Sequence, residues 1–101
     1  MSETKPSNPK DRIGILKLAM SVVPKRPLFL VALAHLEGAL KYGAHNWRAA
    51  GVRSSVYHDA IERHLAAWWE GEDRASDSGV EHLAHIVACC NILLDAEHVG
   101  K

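Results

Sequence analysis

From Leu28 to Leu40 the chain is apolar apart from His35 and Glu37. The run lacks the apolar/polar alternation of a half-buried strand, and Pro27 and Gly43 bracket it as helix start and stop signals do. It predicts a helix ending near Tyr42. It is shorter than the roughly 18 residues that a bilayer span needs. Glu37 is the anomaly inside it, because an ionised carboxylate in apolar surroundings must be paired, hydrogen-bonded or bound to metal. Lys41 stands four residues on, in the favourable Glu-to-Lys orientation, but such a pair contributes only about 0.2–0.5 kcal/mol. Burial of Glu37 would therefore require a further partner: a cation, a histidine or a backbone donor.

The rest of the chain reads the same way. Residues 1–10 are polar and contain two prolines, the mark of a flexible N-terminal arm. A short helix is expected from Asp11 to Val22, ended by Pro24. After a loop from Ala44 to Arg53, Ser54 or Ser55 can cap a third helix to about Trp69 or Glu70. A polar connection, Glu70 to Asp77, leads to Ser78-Gly-Val-Glu81, a capping-box pattern that would open a last helix to about Glu97. The expected architecture is all-α: three long helices and a short N-terminal one, in a single domain over 11–101.

Twelve basic residues balance twelve acidic ones. That argues against a general nucleic-acid binder. The polar N-terminus shows no signal peptide, and adjacent Cys89 and Cys90 on a helix are poorly placed to bond each other. They read as buried free thiols of a soluble cytoplasmic protein.

A helical wheel at about 100° per residue puts Tyr57, Ile61, His64, Leu65 and Trp68 on the core face of the third helix. Asp59 points away, and Glu62 lies in an edge row with His58, Leu65 and Trp69. In the last helix, Leu83, Val87, Cys90 and Leu94 form the expected core face, with His82, His85, Cys89 and Ile92 in a second row. A helix apolar on two sides is usually buried on two sides. In so short a chain this predicts a homo-oligomer, most simply a symmetric dimer.

Several motifs admit two readings. Asn46 and Trp47 can hydrogen-bond and stack on a nucleobase, or simply close the bundle end. His82-x-x-His85 resembles half a metal site, though helical histidine pairs are more often structural. His58-Asp59 is the dipeptide of HD phosphohydrolases, which would need His35 or His45 and Asp95 as further ligands. Glu70, Glu72, Asp73 and Asp77 read as a solvated acidic loop, or as an auxiliary magnesium site.

Taken together, Asn8-Pro-Lys-Asp11, Leu36-Glu-Gly-Ala-Leu-Lys-Tyr-Gly43, Asn46-Trp-Arg48, Tyr57-x-Asp59, Arg63-His64, Trp68-Trp-Glu-Gly-Glu-Asp73, Asp77-Ser-Gly79 and His82-Leu-Ala-His85 resemble the phage and bacterial dATP/dGTP diphosphohydrolases. That family is related to the MazG-like, all-α nucleotide pyrophosphohydrolases. The resemblance implies helices assembled as a dimer or tetramer, in the cytoplasm (the host's, for a phage protein). It also implies hydrolysis of dGTP or dATP to the monophosphate and pyrophosphate, with Mg²⁺ or Mn²⁺.

MazG-like enzymes carry Glu-x-x-Glu and Glu-x-x-Asp motifs, and here histidines stand in the frame of the second. The expected ligands are therefore Glu37 and Glu62, also the expected catalytic groups, with His82 and His85 as ligands or as groups that orient them. Lys41 and Arg63 are expected to hold phosphate oxygens, and Asn46 and Trp47 to select the purine. Two alternatives stay open: an HD-type triphosphohydrolase, and a non-catalytic helical module that binds a nucleotide or a partner.

Overall fold

The computed structural model describes residues 8–15 and 17–100. Its helices are α1 (Pro9–Ile15), α2 (Lys25–Tyr42), α3 (Trp47–Ala50), α4 (Ser54–Trp69) and α5 (His82–His98), with a 3₁₀ turn at Met20–Val22. Among the described residues the only β pairing is a single bridge, Arg74 with Glu81. The all-α expectation holds. No described helix is long and apolar enough to cross a membrane.

The first predicted helix is split into α1 and the 3₁₀ turn. α1 starts at Pro9 because Asn8 and Asp11 cap it reciprocally: the Asp11 N–H donates to Asn8 Oδ1 at 3.0 Å, and the Asn8 N–H to Asp11 Oδ2 at 3.1 Å. Of the expected flexible arm, residues 1–7 lie outside the described residues. α2 stops where expected, with Gly43 at φ +90° and its N–H bonded to the Ala39 carbonyl at 2.8 Å. The expected loop after it contains the one-turn helix α3.

The end of α4 explains the Trp-Trp-Glu-Gly-Glu-Asp block. Gly71, at φ +103°, closes a Schellman motif: its N–H bonds the Trp68 carbonyl and the Glu72 N–H bonds the Ala67 carbonyl, both at 3.0 Å. The chain then folds back on itself. Ala75 N–H bonds Val80 O at 2.9 Å and His82 N–H bonds Asp73 O at 2.8 Å. Because of this return, α5 begins at His82, later than the capping-box pattern implied. Ser78 stays in the turn, and no side chain caps either α5 or α4.

α5 packs against both α2 and α4. The core comprises Val31, Ala34, Val80, Ala84 and Ala88, with Leu30 against it. This reverses the expected faces of α5. Leu83, Val87 and Leu94 are 44–64% exposed and Cys90 is exposed too, whereas His82, Ala84, Ala88 and Ala96 are buried. The physical reason is close approach: small alanines let α5 lie near its neighbours, and larger side chains there would hold them apart. On α4, Tyr57, Ile61 and His64 turn inward as expected, but Leu65 and Trp68 stay exposed.

Candidate functional site

The groove between α2 and α5 is walled at one side by Tyr57 of α4 and closed at one end by the 43–51 loop and α3. It encloses a cavity of about 750 Å³. Its two ends differ chemically.

At the first end stands Glu37, half-buried, with Lys41 Nζ 2.5 Å from its carboxylate. Glu37 raises the Lys41 pKa by hydrogen bond and charge. Across the groove, α5 brings in His85. Burial lowers its pKa, against the opposing pull of the Glu37 and Asp77 charges, so its imidazole is neutral at pH 7. His85 Nε2 lies 2.7 Å from Ser78 Oγ, which also accepts the Val80 N–H at 3.1 Å.

Behind His85 runs a hydrogen-bonded histidine chain. The His64 ring stacks on His85 at 4.7 Å and 10°. His64 Nδ1 is 2.8 Å from His82 Nδ1, and His82 Nε2 is 2.7 Å from Glu72 Oε1. An ionised carboxylate only accepts, so His82 donates from Nε2 to Glu72, and the two Nδ1 atoms of His82 and His64 share the second hydrogen bond. The chain satisfies His82, which is only 5% exposed. Sequence reasoning placed His64 on the core face but gave it no part in the site. Glu72, the partner of His82, is set by Gly71, a contact invisible to helical spacing.

At the second end one carboxylate organises the wall. Asp95 accepts from Trp47 Nε1 at 2.7 Å and from Arg48 Nε and Nη2 at 2.8 and 2.9 Å. The Arg48 guanidinium first, and the indole N–H second, hold the Asp95 carboxyl well below the usual range. Trp47 is buried, with His35 and His45 beside its ring at centroid distances of 6.5 and 5.5 Å. Asn91 Nδ2 lies 3.2 Å from His35 Nε2. Burial, then the nearby His45, lowers the His35 pKa. Burial raises both the Cys89 thiol of α5 and the Tyr57 phenol of α4, so both stay protonated at neutral pH.

Of the residues singled out from sequence, Glu37, Asn46, Trp47 and His85 line the cavity and Lys41 stands beside it. His82 lies behind, with both ring nitrogens engaged. Glu62 and Arg63 are exposed on α4 and do not line the cavity; Glu62 is 3.5 Å from His58. His58 and Asp59 are also exposed, bonded to each other at 3.2 Å, and outside the cavity. With Asp95 committed to Trp47 and Arg48, no HD-type constellation forms. Among the described residues no group of three His, Cys, Asp or Glu is placed to hold a metal ion.

Comparison with curated proteins and with solved structures finds no match in either. A family model described as "dATP/dGTP diphosphohydrolase, N-terminal" matches residues 7–101, nearly the whole chain. The chain belongs to the dATP/dGTP diphosphohydrolase N-terminal domain family.

Proposed function

We propose that this domain hydrolyses purine deoxynucleoside triphosphates, dGTP or dATP, to the monophosphate and pyrophosphate, and so shapes a nucleotide pool. The observation that carries the reading is the two-ended cavity: a carboxylate beside a neutral imidazole at one end, and a wall of ring and amide side chains at the other. Family membership supports the same chemistry.

The donor set limits how a metal would bind. Glu37 is the one cavity carboxylate not held by Trp47 and Arg48. Mg²⁺ characteristically takes one or two carboxylates and completes its shell with substrate phosphates and water. The residues therefore suit an Mg²⁺ or Mn²⁺ ion arriving with the triphosphate, held by Glu37, and not a preformed cage. Once bound, such an ion supplies charge neutralisation at the phosphates and a more acidic water.

The chain's own groups do the rest. Lys41 draws phosphate oxygens toward Glu37. Neutral His85 accepts a proton from the water that attacks the α-phosphorus, and the Ser78 hydroxyl and the stacked His64 ring hold His85 in place. Asn46 and the buried Trp47 shape the base end. Exposed Glu62 and Arg63 serve this chemistry only by reaching the cavity of a neighbouring copy. The exposed apolar residues of α2, α4 and α5 are consistent with such a homo-oligomer.

The test is product analysis with each of the four dNTPs and Mn²⁺. Pyrophosphate and a purine monophosphate are expected, and Glu37→Gln is expected to lower the rate at least 100-fold while helical circular dichroism persists, an effect of the size general catalysis supplies. Triphosphate and nucleoside would mark an HD-type reaction instead. Nucleotide binding without products would mark the module as non-catalytic, a reading favoured by the lack of a three-ligand cluster among the described residues.

A further inference from the structure

His45 is the only non-glycine residue with positive φ among the described residues, at +55°. The left-handed region costs an L-residue roughly 1–2 kcal/mol, and glycine or asparagine takes it more easily. The backbone there needs only a turn: the His45 carbonyl accepts the Arg48 N–H at 3.0 Å and so starts α3. Glycine would provide that turn with less strain. The imidazole is nevertheless present, exposed, and lines the cavity. Its ring meets Trp47 edge-on, at 5.5 Å and 71°. Trp47 itself is fixed from behind by Asp95 through an indole bond of 2.7 Å. The wall therefore commits the Trp47 N–H to the protein, whereas the His45 ring at the cavity has no hydrogen-bond partner among the described residues.

We infer that His45 is the specificity-determining residue of this cavity, reading the polar edge of a purine base from a wall that Asp95 positions. The inference rests on the nucleotide reading above and adds the group that chooses between bases. A neutral imidazole has one donor and one acceptor. Guanine offers an oxygen acceptor at the 6-position where adenine offers an amino donor, so an imidazole nitrogen presented there as a donor favours guanine and one presented as an acceptor favours adenine. Strain at a position lining a cavity fits this role, since strained backbone concentrates at functional sites.

The test compares the wild-type protein with His45→Gly and His45→Asn, both of which tolerate positive φ. Three quantities are read: the melting temperature, the ratio of dGMP to dAMP affinity by calorimetry, and the ratio of kcat/KM for dGTP and dATP. Wild type is expected to prefer one purine. Both variants are expected to melt no lower than wild type while their preference shrinks about tenfold, the worth of one well-placed polar contact. A glycine variant that keeps the wild-type preference would show that His45 serves only the turn, and would overturn the inference. So would a wild-type protein that binds both monophosphates equally. Absence of hydrolysis with a base preference that His45→Gly erases would sink the proposed reaction and leave the assignment of His45 standing.

Discussion

The two faces of α5 are built on opposite principles. The inward face carries Ala84, Ala88 and Ala96 with the hydrogen-bonded His82 and half-buried His85, while the outward face carries Leu83, Val87 and Cys90. Apart from His82, the fully buried positions of α5 are all alanines. Within one copy, α5 is held by close approach and by satisfied polar groups more than by large side chains. Ile86, Ile92 and Leu93 are half-buried, but Leu83 and Val87 remain exposed, where water contact costs about 25 cal/mol per Å² of apolar area. The difference teaches that the inner face determines the geometry of the cavity, whereas the outer face is a surface seeking cover.

The inner face should break first. Ala88 is 6% exposed in the core. Ala88→Leu is expected to destabilise the fold by about 1–3 kcal/mol, the usual cost of overpacking. A lower urea midpoint with an unchanged slope would register it; an unchanged midpoint would mean that the inner face has room to spare.

A smaller, graded effect should follow from pH. Burial holds the pKa values of His35, His64 and His85 below the ordinary histidine value. In the unfolded chain these groups take up protons below about pH 6.5, before the native ones do. The unfolded state then binds more protons, so stability falls as pH drops through that window and is retained above it. Asp95, depressed by Arg48 and Trp47, adds a loss at still lower pH, where the unfolded carboxyl protonates first. Melting temperatures between pH 7.5 and 5 should decline steadily, and a flat profile would remove the buried histidines from the stability of the inner face.

The outer face should barely respond within one copy. Leu83 is 45% exposed and does not line the cavity, and Leu83→Ser is expected to change the stability of dilute protein by no more than about 0.5 kcal/mol. At high concentration the same change should lower the mass seen in sedimentation. An unaltered mass would mean that this face does not join copies.

How much of this was legible in the sequence varies by residue. The end of α2 at Gly43 was readable because a helix stop is a local backbone requirement. Glu37 with Lys41 was readable because four-residue spacing on a helix fixes their proximity. The α5 faces were not, because periodicity separates two faces of a helix without saying which one a neighbour covers. The Glu72–His82–His64 chain was not, because its members come from two helices and a turn. Asp95 entered the sequence reading only as a candidate HD ligand, and its three donors, on Trp47 and Arg48 of α3, lie 47–48 residues away.

By itself the sequence determined the all-α class, three long helices with their main stops, and the family, since these depend on local spacing and on motifs continuous in the chain. The tertiary structure alone decided which side of α5 lies within, that His64 backs His85, that Glu62 and Arg63 stand outside the cavity, and that Trp47 is anchored while His45 is presented. Those outcomes depend on how helices approach one another, and approach is set by the summed fit of side chains distant in sequence, which no single segment carries.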